Sequence, residues 1–420
     1  MNILVRNISY WYLSITVLSF IAAINTKLID LALGLIFMWV SFFITITFSR
    51  VYDSITTHVD ISHTLANSES WYNLGLFKQS IISWFCSIYA VYFYTGNTPQ
   101  DVINTLVVSG SLYNDYQQYF MESELSAFSL SKIPAVICLI TIKLILIQSF
   151  SNCFIYNLNV TKENFCYLLL SSSSFLYFSI SRGTSFELFE LLFLLWYSLT
   201  IRSIKFKAYI NKFKVIKNYI LLFLVGSLFL VLYSYNISAR YSFDSIGSCT
   251  STEMCLDNDA FLMSLLPSLG LLSEKLSGYF LFGIYYLSKL IELHWLKDLM
   301  SFILFFIPVG MGESQNVNLY CQGQVDCGAN WIPDMARILF DTGFILYILF
   351  CSLVMFFLNS TYRRVVSGSN SFYDIGSLFY LFYFFISLPV GNFITISSAN
   401  VIIVMFFILL NLLRYVIRAR

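Results

Sequence analysis

Apolar runs of about 17 to 22 residues recur along the whole chain, and this is the length that an α-helix needs to cross roughly 30 Å of hydrocarbon. Inside a bilayer only helices and closed barrels satisfy every backbone hydrogen bond, and long apolar runs favour helices. Only 11% of the 420 residues are charged, which is too little to cover a soluble globule of this size. The sequence therefore predicts an all-α polytopic membrane protein.

We predict about twelve transmembrane helices in a single integral membrane domain, residues 1–420. The predicted spans are 9–25, 29–48, 79–95, 133–151, 165–181, 185–201, 219–235, 277–293, 299–311, 336–358, 372–389 and 393–413. The eighth and ninth are the weakest, and the alternative for them is a re-entrant or interfacial pair. No small-residue cleavage site follows the apolar segment 10–24, which is therefore predicted to be the first span rather than a signal peptide.

The distribution of Lys and Arg predicts the side of each loop, because basic loops are retained in the cytoplasm. Residues 202–217 carry six basic residues and no acid, so we predict that this loop is cytoplasmic. Counting spans from it puts both chain termini in the cytoplasm. Three long loops are left outside, namely 96–132, 236–276 and 312–335. These loops hold most of the acidic residues, which makes the outer side the predicted working face.

Two cysteine pairs of identical spacing lie in the predicted outer loops, Cys249 with Cys255 and Cys321 with Cys327. Disulfides persist in oxidising compartments, so two short disulfide-closed loops fit an outer face. The alternative is a four-thiolate zinc site, although zinc ligand pairs are usually separated by only about two to four residues. We expect two disulfides and no metal site.

Three arginines stand near the predicted outer membrane boundary. Arg182 lies between the fifth and sixth spans, Arg240 follows the seventh, and Arg337 opens the tenth. An ionisable residue at this depth is a functional candidate. A guanidinium binds phosphate through two parallel hydrogen bonds and stays charged, so three converging arginines would bind a pyrophosphate at head-group level. The alternative for each arginine is an interaction with lipid phosphates.

Carboxylates accompany these arginines, namely Asp244, Asp334, Asp341, Glu187 and Glu190. The spacing of Asp334, Arg337 and Asp341 puts them on one face of a helix. A carboxylate beside an arginine stays ionised and can accept a proton from a sugar hydroxyl. Plain ion pairs are the alternative. The predicted catalytic residues are the three arginines with Asp244 and Asp334.

Aromatic and polar side chains in the outer loops predict a surface that binds sugars, because aromatic faces stack on the apolar C–H surfaces of sugars. The predicted substrate-binding residues are Asp115, Tyr116, Tyr119, Glu187, Glu190, Trp331, Asp341 and Lys143. Lys143 lies in the middle of the fourth span, too far from either end to reach water cheaply. It is therefore predicted to face a polar cavity or a carboxylate partner, Glu187 or Glu190.

Several signatures of cofactor chemistry are missing from the sequence. It contains no Walker A loop, no G-x-G-x-x-G, no H-E-x-x-H and no acidic metal motif. We therefore predict a reaction without nucleotide, metal or other cofactor. The formal net charge of +1 also predicts that nucleic acid is not a partner.

The chain resembles the O-antigen polymerases, the Wzy family of the Gram-negative envelope. Besides the predicted spans and enlarged outer loops, the resemblance rests on three groups of residues: Ser181-Arg182-Gly183 before a helix, Asp115-Tyr116 with Tyr119, and Trp331, Asp334, Arg337, Asp341 and Gly343 around the head of a helix. It implies a GT-C-like fold in the bacterial inner membrane and glycosyl transfer on the periplasmic face. Donor and acceptor would be oligosaccharides on undecaprenyl pyrophosphate, with a chain-length-regulating co-polymerase as a further partner.

Two related functions are the alternatives to polymerase. A lipid-linked repeat-unit flippase should show two similar six-span halves and charged residues lining a central cavity, and Lys143 is the one residue that favours it. An O-antigen ligase is expected to use a histidine on the outer face. His58, His63 and His294 are all predicted to lie elsewhere, which favours a polymerase.

Overall fold

The structure is a computed structural model of the 420-residue chain. It describes residues 2–56, 75–107, 112–123, 129–157, 159–207, 212–240, 257, 259–292, 306, 333–369, 371–391, 393–395 and 397–419. Within these ranges the chain forms helices and no β-strand, in agreement with the predicted all-α class.

The helices, in chain order, are α1 (Ile3–Asn25), α2 (Ala32–Thr56), α3 (Leu76–Thr95), α4 (Pro99–Val107), α5 (Leu112–Glu122), α6 (Ile133–Phe150), α7 (Lys162–Ser181), α8 (Phe186–Lys205), α9 (Lys212–Arg240), α10 (Phe261–Leu265), α11 (Pro267–Leu290), α12 (Asp334–Val366), α13 (Phe372–Ser387) and α14 (Ser398–Ala419). A 3₁₀ turn, Leu130–Lys132, precedes α6, and a π-helical turn, Ser151–Ile155, continues it.

Six helical segments in the described ranges are long and apolar enough to cross a membrane: Ile3–Asn25, Ala32–Tyr52, Leu130–Ile155, Ile216–Tyr233, Asp334–Val366 and Ser398–Val416. They support a multi-pass membrane protein. Helices α3, α7, α8, α11 and α13 coincide with further predicted spans without belonging to this set. The ninth predicted span, 299–311, lies outside the described residues except for Phe306, so the number twelve stays a prediction.

Several helices extend into segments that were predicted to be loops. The basic segment 202–217 overlaps the end of α8 and the start of α9, and the outer loop 96–132 contains the two short helices α4 and α5. Likewise, α11 begins at Pro267, inside the predicted loop 236–276. The apolar run limits the part of a helix that lies in hydrocarbon, but hydrogen bonding continues the helix into polar sequence.

The chain divides into two compact units. The first contains Met1–Asp60, Ser245–Tyr362 and Tyr380–Arg420, and the second contains Ile61–Asp244 and Arg363–Phe379. Neither unit is a sequential half of the chain.

In the second unit, buried serines join α3, α6 and α7. The Ser83 and Ser174 Oγ atoms are 2.6 Å apart, and those of Ser149 and Ser171 are 2.9 Å apart. Ser87 Oγ donates to the Ser174 carbonyl at 2.6 Å. Small hydroxyl side chains let helices approach closely and satisfy one another in apolar surroundings. These hydrogen bonds hold α3, α6 and α7 together, and the C-terminal ends of α3 and α7 carry the residues described in the next subsection.

In the first unit, close backbone contacts bring α11 against its neighbours. A Cβ on Gly283 would lie 2.8 Å from the carbonyl oxygens of Pro389 and Val390, so only glycine fits there. Trp11 Nε1 on α1 donates to the Ile386 carbonyl at 2.9 Å, and Tyr12 Oη donates to the Phe385 carbonyl at 3.1 Å. These bonds fix the C-terminal end of α13 within the unit.

Candidate functional site

A glycine turn at the end of α7 positions Arg182. The Gly183 N–H donates to the Ile180 carbonyl at 2.9 Å, and the Thr184 N–H donates to the Ser179 carbonyl at 3.1 Å. Gly183 has a φ of 59°, a left-handed conformation that glycine adopts without steric cost. The turn ends α7 and starts α8 within a few residues, so Arg182 is held between the two helix ends.

The Arg182 guanidinium is enclosed by aromatic and acidic neighbours. Its Nη2 forms an ion pair with Glu187 and donates to Thr184 Oγ1 at 3.2 Å. Its Cζ lies 4.2 Å from the centre of the Phe178 ring and 5.4 Å from that of Tyr116, which are cation–π distances. The side chain is 15% exposed, and its Nε is buried without a hydrogen-bond partner. The Nε–H of the guanidinium is therefore enclosed by the protein and donates to no acceptor within it.

Arg182 stays protonated despite this burial. Burial by itself lowers the pKa of the guanidinium, but Glu187, Tyr116 and Tyr94 together outweigh it and raise the pKa above its ordinary value. The side chain therefore remains a cation that can attract a negatively charged ligand.

Helix α5 packs across this turn. A Cβ on Gly183 would lie 2.8 Å from the Tyr113 nitrogen, so the backbone of α5 approaches the end of α7 closely. A second glycine, Gly96, ends α3 with a φ of 70°, and its Cβ would lie 2.8 Å from the Tyr119 ring. The structure thus brings Tyr116 to the Arg182 turn and Tyr119 to the end of α3, and Asp115 is exposed on the same helix.

A second buried ion pair lies one turn further along α8. Lys143 on α6 pairs with Glu190, and the two side chains are 5% and 3% exposed. The Lys143 ammonium also lies 5.2 Å from the Phe175 ring centre and 5.7 Å from that of Phe186. The prediction that Lys143 has a carboxylate partner is confirmed, and the partner is Glu190. Glu187 and Glu190 thus each hold one cation, and the resulting ion pairs have no net charge.

Both oxygens of Glu187 are engaged inside the site. One pairs with Arg182, and the other accepts a hydrogen bond from Thr184 Oγ1 at 2.8 Å. The Glu187 side chain is only 3% exposed. This arrangement suits a residue that positions Arg182 better than one that contacts a sugar.

Asp334 anchors a turn in the first unit. Its Oδ2 accepts from the Ile394 N–H at 2.9 Å, and its Oδ1 accepts from the Thr395 N–H at 2.8 Å and from Thr395 Oγ1 at 2.6 Å. The residue is fully buried. Its carboxylate thus fixes the connection between α13 and α14, which favours a structural role over the predicted catalytic one.

Arg337 and Asp341 lie on α12 with exposed side chains, unlike buried Asp334. The backbone of α12 leaves helical geometry at Gly343, where φ is 72°. Arg337 belongs to the first unit and Arg182 to the second. The convergence of the arginines on one pyrophosphate therefore stays a prediction.

The remaining predicted residues cannot be placed. Arg240 is the last residue of α9, but its side chain lies outside the described part of the chain. Also outside are Asp244, Trp331, Cys249, Cys255, Cys321 and Cys327. The two disulfides therefore stay predictions. Within the described ranges, no group of three His, Cys, Asp or Glu side chains could hold a metal ion.

Sequence reasoning missed three residues of the Arg182 site, namely Phe178, Thr184 and Tyr94. Phe178 precedes Arg182 by one helical turn, so its contact follows from helix geometry once α7 is known to end there. Gly183 was the available signal for that end, because a glycine commonly follows the last helical residues. Tyr94 comes from a distant helix and left no local signal.

We expect Gly183→Ala to displace Arg182. Alanine at a φ of 59° is strained by about 1–2 kcal/mol, and its Cβ would meet the α5 backbone. Gly75→Ala is the matched control, because a Cβ there meets nothing within 4 Å. Thermal unfolding should occur at a lower temperature for Gly183→Ala than for Gly75→Ala, and equal unfolding temperatures of the two variants would contradict this expectation.

Comparison with known proteins adds no relative. No protein-family model matches this chain, and neither the curated proteins nor the solved structures contain a match to it.

Proposed function

We propose that this protein is a membrane glycosyltransferase that polymerises oligosaccharide repeat units carried on undecaprenyl pyrophosphate. The observation that carries the proposal is the enclosed guanidinium of Arg182, which stays charged and keeps an unpartnered Nε beside Tyr116. A pyrophosphate is the ligand that suits such a group at a membrane boundary, because it presents several anionic oxygens at head-group level.

In the proposed reaction, a hydroxyl oxygen of the incoming repeat unit attacks the anomeric carbon that joins the growing glycan to its carrier. The bond between that carbon and the pyrophosphate oxygen breaks, and undecaprenyl pyrophosphate leaves with the electron pair. Arg182 stabilises the charge that develops on the leaving group. The departure of the pyrophosphate drives the reaction, so no nucleotide or metal is required.

The proton of the attacking hydroxyl needs an acceptor. Glu187 is poorly suited, because both of its oxygens are engaged with Arg182 and Thr184. Asp115 is the better-supported acceptor among the described residues, because it is exposed and directly precedes Tyr116. Tyr116 and Tyr119 would provide aromatic faces for the sugar rings.

The wider proposal keeps the predicted topology. Both chain termini lie in the cytoplasm of the bacterium, the active face is periplasmic, and Arg240 and Arg337 supply further positive charge at the outer boundary. Two disulfides close the outer loops, and a chain-length-regulating co-polymerase is a partner. The six apolar helical segments support the membrane location.

The flippase alternative is weakened by the environment of Lys143. A transporter would need this charge to face a cavity, whereas Lys143 is buried and neutralised by Glu190. A transporter built from two repeats is expected to divide into two sequential halves. The two compact units of this chain are not sequential halves.

Deleting the gene from the bacterium that encodes this protein distinguishes the two functions. For a polymerase we expect single repeat units on the outer lipid core, because synthesis and translocation of the unit remain intact. Gel electrophoresis of the surface polysaccharide measures the result. Loss of nearly all surface repeat units would instead indicate a flippase, and unchanged long chains would contradict both functions.

A further inference from the structure

A small polar cavity lies in the first unit, between the start of α1, the end of α2 and the last third of α12. Its volume is about 40 Å³, whereas a single water molecule needs about 10–15 Å³. The cavity therefore has room for a few water-sized groups, such as the oxygens of a phosphate. Its lining includes Asn2, Val5, Ser49, Arg50, Met355 and Asn359.

The sequence predicts that this cavity lies at the cytoplasmic boundary of the membrane. Helices α1, α2 and α12 each contain an apolar segment that is long enough to cross a membrane. Arg50 follows the predicted span 29–48 by two residues, and Asn359 directly follows the predicted span 336–358. Both residues are therefore expected at the level of the lipid head groups.

Hydrogen bonds orient the two amide side chains of the cavity. Asn2 caps α1, because its Oδ1 accepts a hydrogen bond from the Leu4 N–H at 2.8 Å. Its Nδ2 donates in turn to Asn359 Oδ1 at 3.3 Å. The oxygen of Asn359 is thus engaged, whereas its Nδ2 donates to no acceptor in the part of the chain that the structure describes. Asn359 therefore offers amide hydrogens to a ligand.

Arg50 supplies the positive charge of the cavity. Its side chain is exposed and forms no ion pair with any side chain that the structure describes. Asp53 lies three residues further along α2, and its side chain is outside the described part. Helix α1 contains no acidic residue, and α12 contains none after Asp341. The two helices that face Arg50 across the cavity therefore bring no negative charge to it.

The remaining lining offers no hydrogen bond donor to a ligand. Val5 and Met355 are apolar and buried. Ser49 is also buried, and its Oγ donates to the Ile46 carbonyl of its own helix at 2.8 Å. The donors that face the cavity are thus a guanidinium and an amide, without an acidic partner among the described side chains. This combination favours an anion over a cation or a sugar.

We propose that Arg50 and Asn359 form a binding site for a phosphate group. A guanidinium binds phosphate through two parallel hydrogen bonds, and the amide of Asn359 adds a neutral donor. Basic pockets between transmembrane helices on the cytoplasmic side bind anionic head groups in this way. The head group of an anionic phospholipid and free phosphate share this chemistry, and separate probes distinguish them. The site is independent of the proposed reaction at Arg182.

A simpler explanation for Arg50 is the retention of basic residues at the cytoplasmic ends of membrane helices. This explanation applies equally to Arg6, which is exposed at the start of α1 and does not line the cavity. It predicts that the loss of either arginine weakens the binding of an anion by the same factor. A built site predicts a larger loss for Arg50 than for Arg6.

The test uses the full-length protein in detergent. Native mass spectrometry measures binding of added phosphatidylglycerol against phosphatidylcholine, and thermal unfolding with increasing inorganic phosphate measures binding of the free anion. Arg50→Gln should bind the phosphate ligand roughly tenfold more weakly than the wild type, because it loses a charge-assisted hydrogen bond. Arg6→Gln is the matched control and should change binding less than about twofold, because salt screens a charge that does not contact the ligand.

The variant Asn359→Asp tests the cavity itself. The aspartate keeps an oxygen that accepts from Asn2 Nδ2, so the hydrogen bond between α1 and α12 is retained. It replaces the amide hydrogens by a negative charge, and binding of phosphate should fall at least about tenfold. If Arg50→Gln folds poorly, Arg50→Lys keeps the positive charge without the planar fork and should bind with intermediate strength.

The two probes give different results for the two sources of phosphate. Preferential binding of phosphatidylglycerol that Arg50→Gln and Asn359→Asp both weaken supports a lipid head group. Stabilisation by inorganic phosphate that both variants lose supports a free anion. The proposal is overturned if the wild type binds neither probe, or if it binds phosphatidylcholine as tightly as phosphatidylglycerol and gains no stability from phosphate. Equal losses for Arg50→Gln and Arg6→Gln, or unchanged binding by Asn359→Asp, would also overturn it.

Discussion

Replacing Arg182 by alanine is expected to abolish long-chain polymer. The variant loses the cation that would neutralise the leaving pyrophosphate, and the loss of one such group lowers a rate about 10²–10³-fold. Arg182→Lys should also impair the reaction, because a point charge cannot replace the planar fork of a guanidinium. Chain-length distributions of the polysaccharide, measured beside the amount of inserted protein, report the result.

A control is needed because Arg182 also neutralises the buried carboxylate of Glu187. Removing the arginine leaves a carboxylate that is 3% exposed without its ion-pair partner, which costs about 3 kcal/mol of stability. The double variant Arg182→Gln/Glu187→Gln removes both charges and should insert normally while remaining inactive. Normal chain lengths from this double variant would show that Arg182 has no catalytic role.

The same measurement applies to the other two arginines. We expect Arg240→Ala and Arg337→Ala to abolish long chains as well, because each supplies positive charge at the predicted outer boundary. Arg337 is exposed, so its replacement should leave stability within about 0.5 kcal/mol of the wild type. If Arg182, Arg240 and Arg337 could all be replaced without a change of chain length, binding of pyrophosphate by arginine would be excluded.

The second large effect concerns stability and the buried pair of Lys143 and Glu190. Lys143→Met should destabilise the protein by about 3–5 kcal/mol, because it leaves the Glu190 charge buried without a partner. Glu190→Gln should be similarly harmful. The double variant Lys143→Met/Glu190→Gln should be about as stable as the wild type, since replacing a buried pair by neutral groups is often tolerated. Thermal unfolding of all four proteins in the same detergent gives the coupling between the two residues.

The pair of Lys289 and Asp30 provides the matched control. Lys289 is 17% exposed, but the carboxylates it pairs with, Asp30 at 2.5 Å and Glu292 at 3.5 Å, are 53% and 50% exposed. Lys289→Met leaves only carboxylates that water can solvate, which costs about 0–1 kcal/mol, so it should lower the unfolding temperature much less than Lys143→Met does. Equal losses for Lys143→Met and Lys289→Met would show that burial of the Lys143–Glu190 pair does not determine its contribution to stability.

The helices and the ion pair of Lys143 with Glu190 could be predicted from the sequence for definite physical reasons. Apolar runs fix the position of a membrane helix because the bilayer leaves few alternatives. A lysine in the middle of such a run has to meet a carboxylate or water, and Glu190 was one of two nearby choices. The pairing of Arg182 with Glu187 also follows locally, since only a short turn separates them.

Contacts between segments that are distant along the chain could not be predicted from the sequence. Asp334 reads as a free carboxylate beside Arg337, but its partners Ile394 and Thr395 lie about sixty residues later. Nothing local indicates that both of its oxygens are occupied. Helix α5 was likewise predicted to be part of a loop. Its contact with the Arg182 turn depends on close packing of its backbone against Gly183, which residue spacing in the sequence does not reveal.

The proposed reaction joins repeat units at the expense of a lipid pyrophosphate, with Arg182 stabilising the leaving group. Purified protein in nanodiscs should convert a defined undecaprenyl-pyrophosphate repeat unit into a ladder of longer glycans. It should release one undecaprenyl pyrophosphate for each linkage formed, and the reaction should proceed with a chelator present and without nucleotide. The folded Arg182→Gln/Glu187→Gln variant should form no ladder. The absence of a ladder from active-site-intact protein, or an equal ladder from the double variant, would contradict the account.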